Sequence, residues 1–216
     1  MQTIIYQITR FLVMLYFNLY HRLSVYGKET IPSDRPVILA ANHASYLDPP
    51  VVGLAFFPRY LRFVAWAKLF SFAPFGYYLR NMGAVPVSPE NKSSSAGLLR
   101  MVMGFLEEGS SVYIAPEGHR TEDGNLQPLE GGVAILSLKT KALVVPTWVG
   151  GTYRALAPHM KFPRPYKITV TFGPAIDPEA FPPEMSEKEK RQKILDEIEA
   201  YYIMMDEKDK EKYPRR

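Results

Sequence analysis

Three short runs constrain this chain more than any other feature. PVILAAN at 36–42, SVYIA at 111–115 and ALVVPTWV at 142–149 are dominated by apolar residues, without regular polar alternation. A strand with one wet face alternates apolar and polar residues. A short unbroken run therefore reads as a strand buried on both faces, which needs helices above and below it. The segments in between supply them. SSSAGLLRMVMGFLEEG sets Leu98, Leu99, Val102, Phe105 and Leu106 at helical spacing and closes on Gly109. Helices are also expected over 46–57 and 129–140, and further strands at 61–65, 83–87 and 166–172. Ser186 and Glu189 make a capping box for a C-terminal helix, whose stripe of Ile194, Leu195, Ile198, Tyr201, Tyr202 and Met205 packs on the core. Strands alternating with helices predict an α/β fold: a single domain with a mixed, mainly parallel sheet flanked by helices. There is no internal repeat and no linker long enough to divide the 216 residues.

The N-terminal segment, 1–27, is set apart from the domain at 28–216. MQTIIYQITRFLVMLYFNLYHRL is dense in aromatics, and Gln7, Arg10 and Asn18 break its apolar run short of the roughly 20 residues of a spanning helix. It lacks the charged leader and small-residue cleavage site of a signal peptide. The expectation is an interfacial, membrane-associating helix; the alternative is a helix that packs its apolar side on the protein's own core. Residues 1–183 carry 17 Lys/Arg against 12 Asp/Glu, and the rest 9 against 10. The basic excess thus lies in the body, where it suits a phosphate-bearing ligand or an anionic membrane. Nucleic acid is not expected, since no binding motif or basic arm is present.

Several chemistries are excluded. Without cysteine there is no disulfide, thiolate metal site or Cys nucleophile, and the chain fits a reducing compartment. Gly-x-Ser-x-Gly, Walker, Gly-x-Gly-x-x-Gly and His-Glu-x-x-His patterns are also missing.

Polar residues gather instead in two loops, each after a buried run. In the first, NHASYLD at 42–48, a carboxylate on Asp48 could fix the His43 tautomer and leave its other nitrogen as a general base. On a continuous helix the two would stand about 140° apart, so the pairing needs a turn between them. The competing reading is a helix start: Asp48 as N-cap before Pro49, with Ser45 and Asp48 at capping-box spacing. In the second loop, APEGHRTEDG, the residues Glu117, His119 and Arg120 are poor packing material and good ligands for a phosphate and its hydroxyls. A solvated turn in which Glu and Arg neutralise each other is the alternative there. A metal held by His43, Asp48, Glu117 and His119 lacks a tight ligand spacing, and no metal is expected.

Together the loops resemble a known family. NHASYLDPP resembles the N-H-x-x-x-x-D motif of the glycerolipid acyltransferases that include lysophosphatidate acyltransferase, and APEGHRT resembles their F-P-E-G-T-R-S motif. WAKLF, VVPTWVGG and YKITVTFGPAID are similar to later and intervening segments of that family, in family order from about 36 to 177. The resemblance implies that His43 is a general base supported by Asp48. It implies that Glu117, Gly118 and Arg120 hold the acceptor's glycerol phosphate, with Lys68 as a second phosphate contact and Pro146 shaping the site. The implied partners are a lysophospholipid acceptor, acyl-CoA or acyl-carrier protein as donor, and a membrane lipid surface, with no cofactor. The implied place is the cytoplasmic face of a membrane, as a peripheral or monotopic protein. Direct attack on the thioester is implied, with amides around Gly118 as oxyanion donors; a covalent route through Ser45 is the alternative. Two departures stand out: GAVPVSPE lacks the basic residue of the family's second motif, which Arg80 or Lys92 would have to replace, and His119 stands for Thr.

Overall fold

In a computed structural model, residues 4–81, 83–87 and 95–212 are described. Seven strands make one sheet: β1 Ser24–Tyr26, β2 Val37–Ala41, β3 Leu61–Trp66, β4 Ala84–Val87, β5 Ser111–Ile114, β6 Leu143–Gly150 and β7 Thr169–Phe172, in the order β1-β7-β6-β2-β5-β3-β4. Every described pairing between these strands is parallel except β6 with β7. The apolar runs end where their composition requires. All residues of β2 and β6 are buried, and β2 lies between β6 and β5.

Among the described residues seven α-helices enclose the sheet: α1 Ile4–Tyr20, α2 Asp48–Phe56, α3 Ala73–Asn81, α4 Ser95–Glu107, α5 Gly132–Thr140, α6 Thr152–Ala155 and α7 Glu187–Lys212. One core joins Val37, Leu39 and Val145 to Val51, Val52 and Phe56 of α2 and Phe17 of α1. The opposite core joins Ile38, Ala40 and Val144 to Val102 and Leu106 of α4, Val133 and Leu136 of α5, and Ile194, Ile198 and Tyr202 of α7. Alternate residues of β2 thus feed opposite cores, as a strand's period of two dictates. The C-terminal capping box is present: Ser186 Oγ and N–H both donate to Glu189 Oε2, at 2.7 and 2.8 Å.

The strand expected at 166–172 begins only at Thr169. Ahead of it the chain serves α1 instead: Ile168 N–H donates to the His21 carbonyl, and the Tyr166 carbonyl meets His21 Nδ1 at 3.1 Å. The reading in which α1 packs on the protein's own core holds for one side of the helix. Phe17 is buried and Val13 packs beside it, while Ile8, Phe11, Leu12, Leu15 and Leu19 are exposed. No described helix is long and apolar enough to cross a membrane.

The chain leaves β2 for β3 on one side and leaves the adjacent β5 for β6 on the other. The carboxyl ends of β2 and β5 therefore flank a topological switch point, where open α/β sheets leave a crevice.

Candidate active site

Asn42 and His43 follow β2 directly at that crevice. The Asn42 amide acts as one more rung of the ladder. Val149 N–H donates to Asn42 Oδ1 at 2.7 Å, and Asn42 Nδ2 donates to the Val149 carbonyl at 3.1 Å. His43 therefore leaves the sheet from a fixed point. A turn at 43–47 brings Asp48 back, and its Oδ2 meets His43 Nδ1 at 2.9 Å.

The same oxygen accepts the Ala44 and Ser45 N–H groups, both at 2.7 Å. Asp48 is fully buried, while the His43 side chain is 19% exposed, with a route to a ligand. The expectation that Asp48 caps α2 is corrected by this geometry. Leu47 is the N-cap residue and receives no side-chain cap, because the carboxylate points back into the turn. Of the capping box at 45–48, only the bond from Ser45 N–H to Asp48 forms. Ser45 Oγ instead accepts from Leu47 N–H and donates to the Leu156 carbonyl at 2.7 Å. That leaves Ser45 buried and engaged in structure, which argues against the covalent route.

The second loop, after β5, is tied to the first. Glu117 is buried, with Oε1 accepting from His43 N–H at 2.8 Å and Oε2 from Gln127 N–H at 2.9 Å. Burial pushes its carboxyl above the usual range, and those two bonds work against the rise. Thr121 N–H also donates to the His43 carbonyl at 2.9 Å. Both Glu117 oxygens are thus engaged by backbone amides, so this side chain braces the loops against each other rather than facing a ligand.

Gly118 has φ +72, and a Cβ there would meet the Glu130 carboxylate. Its N–H donates to the Ala115 carbonyl at 3.0 Å, so Gly118's own amide is held in the turn and is not an oxyanion donor here. His119 Nδ1 meets the Glu117 carbonyl at 2.8 Å, and no metal-holding group of three or more His, Asp or Glu occurs among the described residues.

Arg120 forms no salt bridge among the described residues, which overturns the reading of a self-neutralised turn. Its guanidinium lies 3.5 Å from the centroid of the Tyr46 ring. Lys68 sits past the carboxyl end of β3, on the same edge of the sheet as His43, with its ammonium 5.3 Å from the Trp66 ring centroid. Arg80, on α3, lies over the Phe70 ring at 5.2 Å, and Lys92 falls outside the described residues. Pro146 pairs with Ala40 in the sheet beneath the site.

Sequence reasoning missed two contributors. Asn42 lies in the first polar loop but gets no role of its own from the sequence, although an amide at the end of an apolar run is a signal that something must satisfy it. Tyr113, beneath the site on β5, carries a phenol that burial pushes well above its ordinary range, with the charges of Asp48 and Glu117 adding to the rise. A pocket of about 60 Å³ opens beside the cluster, lined by His43, Glu117, Thr121, Tyr153 and Arg154 and closed by the last turns of α7 at Lys210.

A buried carboxylate behind a partly exposed imidazole thus stands at the carboxyl edge of a mostly parallel sheet, an arrangement that suits acid–base chemistry in an α/β fold. The Acyltransferase family model matches residues 22–150, and the chain belongs to that family.

Among curated relatives, the chain is 31% identical over 134 residues to the chloroplastic 1-acyl-sn-glycerol-3-phosphate acyltransferase LPAT1 of Arabidopsis thaliana, covering 62% of this chain and 37% of that one. It is 31% identical over 124 residues to the 1-acyl-sn-glycerol-3-phosphate acyltransferase of Bacillus subtilis, covering 57% and 60%. The chain thus spans between about a third and three fifths of these relatives' length. In fold it matches the crystal structure of the 1-acyl-sn-glycerophosphate acyltransferase PlsC of Thermotoga maritima. The TM-score is 0.68 at 24% identity, over 97% of this chain and 84% of that one.

Proposed function

We propose that this protein moves a fatty acyl chain from an acyl thioester, acyl-CoA or acyl-carrier protein, to the free hydroxyl of 1-acylglycerol-3-phosphate, giving phosphatidic acid. The observation that carries the reading is the His43–Asp48 pair at 2.9 Å, set on a turn held by Asn42 and Glu117. The activities named for the relatives agree with it.

The geometry supports the following roles. With the Nδ1 proton directed at Asp48, Nε2 is left as the base. It takes the proton from the acceptor hydroxyl as that oxygen attacks the thioester carbon, and Asp48 supports the imidazolium that forms. The tetrahedral intermediate collapses with cleavage of the C–S bond, and the imidazolium returns its proton to the departing thiolate. Proton and charge balance without an acyl-enzyme, and no cofactor enters. Arg120 is the phosphate contact, since a guanidinium without a carboxylate partner suits a phosphate's oxygens. Lys68 is the second, further along the same edge. Glu117 and Gly118 shape the acceptor site by fixing the loop.

Both the acceptor and the product are lipids. The exposed apolar face of α1 supplies the contact with the bilayer, with residues 1–27 as the membrane-facing part and 28–216 as the catalytic domain. The protein would sit at the cytoplasmic face as a peripheral or monotopic enzyme.

An acyl-CoA assay with a panel of lyso-lipid acceptors tests the assignment. Lysophosphatidate is expected to be the preferred acceptor. Faster transfer to a lysophospholipid carrying a head group would move the assignment to another acceptor, and transfer to none of them would remove the activity.

A further inference from the structure

The turn that carries the catalytic pair also carries Tyr46, which pairs with neither His43 nor Asp48. Its ring is 56% exposed, an unusual place for a large aromatic on a loop otherwise tied down at every residue. The Arg120 guanidinium lies over that ring, with Cζ 3.5 Å from its centroid. The backbone on either side is already fixed, because Thr121 N–H donates to the His43 carbonyl at 2.9 Å. Arg120 Nη1 is nevertheless buried and has no acceptor among the described residues.

A guanidinium offers a face and an edge. The face is attracted to an aromatic quadrupole, and the edge carries all five N–H donors. A ring on the face therefore orients the group without using any donor, whereas a carboxylate partner would occupy the very donors a phosphate needs. It also removes much of the rotamer freedom of a long side chain before ligand arrives. A buried Nη1 with no acceptor is costly unless an anion completes it.

We propose that Tyr46 is a positioning and specificity-determining residue: its ring holds the Arg120 guanidinium edge-on to the acceptor's phosphate, so the site selects acceptors that carry one. This rests on the acyl-transfer reading above and adds to it a residue outside the His–Asp pair and the Glu–Gly–Arg loop. The phenol oxygen has no part in the role; the ring does.

The test is a double-mutant cycle on the full chain, with Tyr46→Phe, Tyr46→Leu, Arg120→Ala and the Leu/Ala double variant. Lysophosphatidate and its phosphate-free counterpart, a monoacylglycerol, serve as acceptors. Tyr46→Leu is expected to raise the KM for lysophosphatidate about tenfold, with kcat and the acyl-donor KM within about twofold of wild type. Tyr46→Phe should stay close to wild type, the monoacylglycerol KM should not move, and in the Arg120→Ala background Tyr46→Leu should add less than about twofold.

Equal damage from Phe and Leu, an undiminished penalty without Arg120, or a penalty on the donor side would overturn the proposal. Calorimetric titration with glycerol 3-phosphate needs no turnover and separates the two readings. Tighter binding by wild type than by Tyr46→Leu, in a protein that transfers no acyl chain, would refute the activity and support Tyr46. Equal binding by the two would refute Tyr46 whatever the activity.

Discussion

Replacing Asp48 with Asn removes a charge and leaves the shape of the turn. One oxygen, Oδ2, takes three donors at 2.7–2.9 Å, from His43 Nδ1 and the Ala44 and Ser45 amides. A bond to a charged group contributes about 1.5–3 kcal/mol and a neutral one about 0.5–1.5, so three weakened bonds lose on the order of 3 kcal/mol. The new NH2 would stand where Oδ1 is now buried without a partner, adding about 1–3 kcal/mol. Relief from burying a carboxylate offsets several kcal/mol of that. A net destabilisation of about 1–3 kcal/mol is the outcome to expect from a urea melt.

The effect on turnover is larger, because the imidazolium exists only once the proton has moved. Two unit charges about 4 Å apart attract by about 4 kcal/mol at an effective dielectric constant of 20. Losing most of that in the transition state lowers kcat by roughly 10²–10³-fold. The assay is kcat at saturating acceptor and donor, on protein shown to be folded at the assay temperature. A folded Asp48→Asn protein that keeps more than a tenth of wild-type kcat would refute the electrostatic role given to Asp48.

Other outcomes follow from single residues. His21 is buried between the Tyr166 carbonyl and the Tyr16 hydroxyl, and desolvation lowers its pKa from 6.5 despite the bond to Tyr166. Below the unfolded value the unfolded chain binds the proton more readily, so stability present at pH 7.5 should be lost as the pH falls below about 6.5. Tm measured from pH 7.5 to 5.5 should fall less steeply for His21→Gln, and equal slopes would contradict the assignment. Gly118→Ala places a side chain at positive φ and against the Glu130 carboxylate, so a loss of about 1–3 kcal/mol in a denaturant melt is expected. Leu12→Glu with Leu19→Glu, both on the exposed face of α1, should weaken co-sedimentation with anionic vesicles and leave Tm within a few degrees. Unchanged co-sedimentation would remove α1 from the membrane contact.

The sheet was legible because burial on both faces leaves a plain mark. The runs at 36–42, 111–115 and 142–149 became β2, β5 and β6 nearly residue for residue. What stayed hidden depends on contacts the sequence does not display. α3 contains Pro74 and Gly76, which read as breakers. Gly76 is where the helix crosses the chain at Phe70, and a Cβ there would come within 2.6 Å of the Phe70 carbonyl oxygen. β1 is only three residues long and owes its existence to pairing with β7, far along the chain.

At the site, the residue types named the chemistry but not every job. Asp48 before a proline satisfied the capping pattern as well as the catalytic one, and only the backward direction of its carboxylate separates them. Glu117 looked like a ligand because it lies in a polar loop. Its two partners are main-chain amides, one of them 74 positions away in sequence, and no local pattern announces such a bond.

The central claim is that His43 removes the proton from the acceptor hydroxyl. Its most direct measurement is the rate of phosphatidate formation from lysophosphatidate and acyl-CoA by His43→Ala beside wild type, with Tm and vesicle binding matched. The expected result is a rate lower by about 10²–10⁴-fold with folding and membrane binding retained. A rate within tenfold of wild type would contradict the claim.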